Sequence, residues 1–98
     1  MFDKLKQIKD LRDQAKALQD ILAQETINHD VKDGKLSMVM DGNQKVLSLS
    51  IDPEYLTSEK KEDLEQGLKE LMTETTEKAQ QQVALKMRSS GMSLPGMG

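Results

Sequence analysis

The chain contains no cysteine and no tryptophan, and only one phenylalanine and one tyrosine. Without cysteine it can form neither a disulfide nor a thiolate zinc site, which fits a reducing compartment. Nowhere do apolar residues run to the roughly 18 needed to cross a bilayer. The opening residues MFDKLKQIKDL lack the apolar core of a secretory signal. No membrane partner is expected. With 98 residues, 36% apolar and 32% charged, the chain is one domain with a thin core, because a chain of this length buries only about 60–65% of its unfolded surface. Self-association is an ordinary way for such a chain to gain burial.

What is present has clear periodicity. Leu5, Ile8, Leu11, Ala15, Leu18 and Leu22 recur in steps of three and four, which predicts a helix over residues 2–24. From Ile8 on, the spacing is heptad-like and suits packing against another helix. Between 26 and 51 the period becomes two, with Ile27, His29 and Val31, then Leu36, Met38 and Met40, then Leu47, Leu49 and Ile51 each alternating with other residues. This predicts three strands with one buried face. Asp33-Gly34 is a strong hairpin signal. A two-residue turn there pairs Val31 with Leu36, His29 with Met38 and Ile27 with Met40. The second turn, DGNQ at 41–44, favours an even loop that pairs Met38 with Leu47 and Leu36 with Leu49, since an odd loop would put apolar residues on the wrong face. The result is an antiparallel meander.

Pro53 has no N–H to donate and ends the third strand. Asp52-Pro53-Glu54-Tyr55 therefore reads as a strand-to-helix corner rather than a catalytic acid, with Thr57 or Ser58 as the cap of the following helix. That helix is expected over about 58–88, with Leu64, Leu68, Leu71, Met72, Thr75, Ala79, Val83 and Met87 on one stripe. Gly67 falls in its middle, where glycine costs about 1 kcal/mol against alanine; it either marks a close contact with the sheet or the other helix or is neutral. SSGMSLPGMG then forms a flexible Gly/Pro/Ser tail, so the domain is 1–88 and the tail 89–98.

His29 is the only histidine and by parity lies on the apolar strand face as a core residue. No metal cluster, phosphate loop, nucleotide fingerprint or Ser/His/Asp arrangement is present. No enzyme activity, catalytic residue, metal, cofactor or small-molecule substrate is expected.

Charge is unevenly placed. Residues 1–12 hold Lys4, Lys6, Lys9 and Arg12 against two acids, net +2, and residues 78–98 hold Lys78, Lys86 and Arg88 with no acid, net +3. Residues 13–77 carry seven bases and fifteen acids, net −8. A second helix about 46 Å long overhangs strands of about 23 Å. If the two helices pack antiparallel, their free ends share one basic tip. Such a tip suits a polyanion. Lys4, Lys6 and Lys9 are the more informative bases, because cations at a helix N-terminus oppose the macrodipole. Phe2 is the only aromatic near the tip, so phosphate-led binding with weak sequence preference is expected rather than single-strand readout by base stacking.

The order helix, three-stranded meander, SIDPEYL, long helix and closing GMSLPG resembles the YbaB/EbfC family of bacterial nucleoid-associated proteins over nearly the whole chain. Ile51-Asp52-Pro53 with Leu56, and Gly91 to Gly96, carry the likeness. It implies an α+β fold with helices projecting beyond the sheet, a cytoplasmic, nucleoid-located homodimer, and binding of double-stranded DNA with little sequence preference. The basic residues Lys4, Lys6, Lys9, Arg12, Lys78, Lys86 and Arg88 would contact phosphates. Family members often carry several glycines in the first hairpin; VKDGKL has one. The alternative reading is a protein-interaction adaptor or chaperone-like dimer using the sheet face or the tail.

Overall fold

Period-two alternation and period-3.6 spacing resolve into five elements in a computed structural model that describes residues 2–89, with side chains from Lys4 on. They are α1 (Phe2–Ala23), β1 (Thr26–Val31), β2 (Leu36–Asp41), β3 (Val46–Ile51) and α2 (Lys61–Ser89). Two 3-10 turns, Pro53–Tyr55 and Ser58–Lys60, lead from β3 into α2. The fold is α+β, and the strands form one antiparallel sheet in the order β1-β2-β3. Of the expected tail, Ser89 is the last residue of α2, and residues 90–98 lie outside the described residues.

The first hairpin has the register read from the apolar pattern, with Val31 opposite Leu36, His29 opposite Met38 and Ile27 opposite Met40. Its connection spans Lys32 to Lys35, and the Lys35 N–H donates to the Lys32 carbonyl at 3.1 Å. Lys32, Asp33 and Gly34 all adopt positive φ. Two non-glycine residues thus hold the left-handed conformation, which costs each of them roughly 1–2 kcal/mol.

The second hairpin corrects the expected pairing by two residues. Met38 lies opposite Leu49, not Leu47, and Leu36 lies opposite Ile51, not Leu49. The cause is Asp41. Its buried carboxylate oxygen Oδ1 accepts from the Asn43 N–H at 2.8 Å and the Lys45 N–H at 2.9 Å. The Asp41 N–H donates to the Lys45 carbonyl at 2.9 Å. These bonds make a wide turn with Gln44 at φ +65°, and a bulge at Val39/Met40 absorbs the odd residue. Parity survives, so the apolar face is kept.

At the corner, the Asp52 side chain accepts from the Glu54 N–H at 2.9 Å and caps the first 3-10 turn. Lys35 Nζ reaches Glu54 Oε2 at 2.6 Å. That hydrogen bond, and then the carboxylate charge, hold the Lys35 ammonium above its ordinary pKa. Asp52 therefore shapes the chain. Thr57 occupies the next cap position in extended backbone, without a side-chain capping bond.

The core is Ile27, Val31, Leu36, Met38, Met40, Leu71 and Ala79, with Ile51, Tyr55, Leu64 and Leu68 packed at its margin. It lies between α2 and the β1–β2 half of the sheet. Met38 and Met40 are inside it and offer no partner surface. Thr75 is fully buried, and its hydroxyl donates to the Leu71 carbonyl at 2.6 Å. His29 is half-buried, with Nε2 3.0 Å from Glu74 Oε1 on α2.

Gly67 is where α2 comes closest to the sheet. A Cβ there would collide with Cδ1 of the fully buried Leu36, which would have to shift within the core to admit it. Gly67→Ala is therefore expected to destabilise the fold by about 1–3 kcal/mol, although alanine is the better helix former by about 1 kcal/mol. Urea unfolding checks this; a stabilised variant would contradict the contact.

Candidate functional site

The two helices do not form the antiparallel pair expected from their stripes. α2 lies down along β1, joined to it through His29–Glu74, through Lys32 Nζ and Glu70 Oε2 at 3.6 Å, and through Lys86 Nζ and Glu25 Oε1 at 3.5 Å. α1 stands apart. Leu5, Ile8 and Leu11 are exposed by 67, 51 and 64%, whereas a helix packed along α2 would bury them. The molecule measures 64 × 27 × 20 Å. Its long axis exceeds the roughly 43 Å of α2 itself, so the excess is α1 projecting as an arm.

The root of the arm is built from backbone groups. The last carbonyls of a helix lack intrahelical partners. The wide β2–β3 turn supplies two. The Gly42 N–H donates to the Leu22 carbonyl at 2.9 Å, and Asn43 Nδ2 donates to the Gln19 carbonyl at 2.9 Å. Glycine is needed at 42 because a Cβ would stand 2.6 Å from that Leu22 oxygen. Leu22 itself is buried. The same Asp41 turn that shifts the hairpin register thus holds the base of α1.

Of the expected basic residues, Lys4, Lys6, Lys9 and Arg12 lie on the arm, all exposed. Arg12 and Lys4 are roughly 16 and 28 Å from Ala23 at 1.5 Å per residue. Lys6, Lys9, Arg12 and Lys16 follow one another at spacings of three, three and four, so they share one face of α1 over about 15 Å. None of these makes an ion pair among the described residues. Lys16 was overlooked because counting charge in blocks assigns it to the acidic middle of the chain; its helical spacing from Lys9 and Arg12 is the signal that finds it.

Lys78 and Lys86 are placed differently. Lys78 Nζ donates to the Asn28 carbonyl at 2.5 Å, and Lys86 pairs with Glu25 at the α1–β1 junction. Arg88 follows Lys86 near the end of α2 and is exposed. The single tip is therefore corrected to two basic groups, one along the arm and one near its root. At the other end of the body, α2 begins with Glu62, Asp63 and Glu65, all exposed.

An isolated helix presenting a row of bases, carried on an acidic two-layer body, is a layout for binding an extended anion rather than for enclosing a small one. The comparisons agree with it. The YbaB/EbfC DNA-binding family matches residues 1–93. Nucleoid-associated proteins of Gloeothece citriformis and of a Synechocystis strain are each 35% identical to the chain, covering 98% of it and 82% of their own lengths. One from Syntrophobacter fumaroxidans is 28% identical over 98% of the chain and 89% of its own. Among solved structures, an uncharacterised Helicobacter pylori protein superposes with a TM-score of 0.62 over 82% of this chain and 96% of that one. At 17% identity this supports the fold alone.

Gly42→Ala is expected to push the turn off Leu22 and loosen the root of the arm. Hydrogen exchange should then accelerate at the Gly42 amide while the Met38 amide, in the core hairpin, is unchanged; unaltered exchange at Gly42 would contradict the docking. By sequence over residues 1–93, the chain belongs to the YbaB/EbfC DNA-binding family.

Proposed function

We propose that the protein is a non-enzymatic, nucleoid-associated homodimer that binds double-stranded DNA through phosphate contacts, with little regard for sequence. The observation that supports this most directly is the exposed basic row of α1. A duplex carries one negative charge per roughly 1.7 Å of axis, and a straight helix with cations every turn can follow it without base contacts. Lys6, Lys9, Arg12 and Lys16 would lie against the backbone, with Lys4 beyond them. Lys78, Lys86 and Arg88 extend the positive surface toward the root of the arm. Phosphate contacts position a protein without reading bases, and the arm has no aromatic residue from Lys4 on.

The acidic body favours the same geometry. Beyond α1, residues 24–89 carry thirteen acids and nine bases, net −4, so the body is repelled by the duplex and the arm is left to make contact. The homodimer is supported by apolar surface that one chain leaves in solvent, namely Leu5, Ile8 and Leu11 on α1, Val46, Leu47 and Leu49 on β3, and Met72 on α2. Names of the relatives, nucleoid-associated proteins all, point to the same compartment.

Binding of random-sequence duplex DNA should weaken with salt, with a slope of log affinity on log salt near −0.9 per phosphate neutralised. Replacing Lys4, Lys6 and Lys9 together by Gln should lower affinity equally for unrelated sequences and reduce the slope by roughly 0.9 for each lysine that touches phosphate. Lys78→Gln, which breaks a contact to β1, should change affinity less. Gel-shift titrations at two salt concentrations check this; affinity unchanged in the triple variant would remove the arm from the interface.

A further inference from the structure

The dipeptide Asp-Gly occurs twice, at 33–34 and 41–42, once at each turn of the meander. It is a reactive pair. Glycine has no Cβ to crowd its own amide nitrogen, so that nitrogen can reach the side-chain carboxyl carbon of the preceding residue and close a five-membered ring. At the third corner, Asp52 precedes Pro53, which has no N–H to give up. The two Asp-Gly pairs share their chemistry and differ in their surroundings.

At Asp41 the ring is prevented from closing. Asp41 is buried, and its Oδ1 accepts from the Asn43 and Lys45 N–H groups. The nitrogen that would attack belongs to Gly42, and its N–H donates to the Leu22 carbonyl at 2.9 Å. To react, the carboxyl group would have to leave two hydrogen bonds and the Gly42 N–H a third, and the root of α1 would come apart with them. Nothing of the kind holds Asp33. Asp33 and Gly34 are both exposed. Neither the Asp33 carboxylate nor the Gly34 N–H has a hydrogen-bond partner among the described residues. The bond across this turn, from the Lys35 N–H to the Lys32 carbonyl, leaves both reacting groups out. Lys32 at φ +55° and Asp33 at φ +57° are left-handed, so excursions out of the turn conformation relieve strain instead of adding it.

We propose that Asp33 is a self-modification site of the folded protein, converting to isoaspartate through a succinimide formed with Gly34, and that the same conversion is blocked at Asp41. The Gly34 nitrogen bonds to Cγ of the protonated Asp33 carboxyl group, and the carboxyl OH leaves with the amide proton as water. Water then opens the ring. Its addition at the Asp33 backbone carbonyl breaks the bond from that carbon to the Gly34 nitrogen, and the nitrogen takes up a proton. The chain now runs through Cβ and Cγ of Asp33, and the former backbone carbonyl is a free carboxylate. One water is lost and one gained, so the mass is unchanged and no oxidant is needed. The product has one extra backbone carbon between Lys32 and Lys35. That turn adjoins Leu36, which packs against Gly67, and Lys32, which pairs with Glu70. The altered turn therefore loosens the seat of α2 on the first hairpin, while the root of α1, at the other turn, is untouched.

The test ages the full chain in warm neutral buffer, folded, beside the same chain unfolded in guanidinium chloride. Lys-specific digestion separates residues 33–35 from residues 36–45, and isoaspartate in each fragment is identified by co-elution with synthetic standards of equal mass. In guanidinium both sites should convert at similar rates, since neither turn survives. In buffer Asp33 should stay within about threefold of its unfolded rate and Asp41 should fall behind it by roughly tenfold or more, because Asp41 reacts only from locally opened molecules. Asp33→Glu, whose longer side chain does not close a five-membered ring, should abolish isoaspartate formation in the folded protein; isoaspartate that still accumulates in this variant would move the site elsewhere and overturn the assignment. Equal conversion of the two sites in buffer would overturn the protection of Asp41, and an Asp33 that converts only in guanidinium would overturn the site itself. The readout depends neither on DNA nor on self-association, so its failure leaves the proposed function standing.

Discussion

Leu36 presses against the backbone of α2 at Gly67, and that contact decides how the molecule is laid out. With no Cβ in the way, α2 lies flat on the sheet from the first hairpin to the α1–β1 junction. Its buried positions, Leu71, Thr75 and Ala79, follow Gly67 at helical spacing. Its flank toward β1 supplies Glu70, Glu74, Lys78, Gln82 and Lys86, each paired with a group of β1 or its ends. α2 is thus committed to the sheet along most of its length.

The consequences reach both ends of the chain. α1 does not lie along α2, so its basic face and the Leu5, Ile8 and Leu11 stretch of its apolar stripe remain in solvent, while its last turn is held by Leu22 and by the Asp41 turn. Because α2 is drawn toward β1, β3 is left bare. One edge of the sheet is sealed and the other open, and one end of the molecule is an acidic body while the other is a cationic arm. The asymmetry that supports a duplex-binding role and the exposure of β3 have one origin.

Much of the fold was legible because period is a local property. The helix read over 2–24 is Phe2–Ala23, and the three strands and the first hairpin register follow from the parity of Ile27, His29, Val31, Leu36, Met38 and Met40. The second register was misread because the carboxylate of Asp41 organises the turn, and hydrogen bonds of a single side chain leave no trace in apolar alternation. The pairing of the helices was misread for a different reason. A stripe such as Leu5, Ile8 and Leu11 says that a face seeks cover and not what covers it, and the wide apolar surface of α2 was already committed to the sheet. Block counting found the basic character of Lys4 to Arg12 but hid Lys16, and it could not show that Lys78 and Lys86 would be bonded to β1 and its junction with α1.

Amide chemical shifts of the full chain, followed while random-sequence duplex DNA is titrated in, test most directly whether the arm is the binding element. The account predicts that the largest shifts fall between Lys4 and Lys16, with smaller ones near Arg88 and little change from Glu59 to Lys69 on the acidic body. The largest shifts appearing on the sheet or on the first turns of α2, with α1 silent, would contradict it.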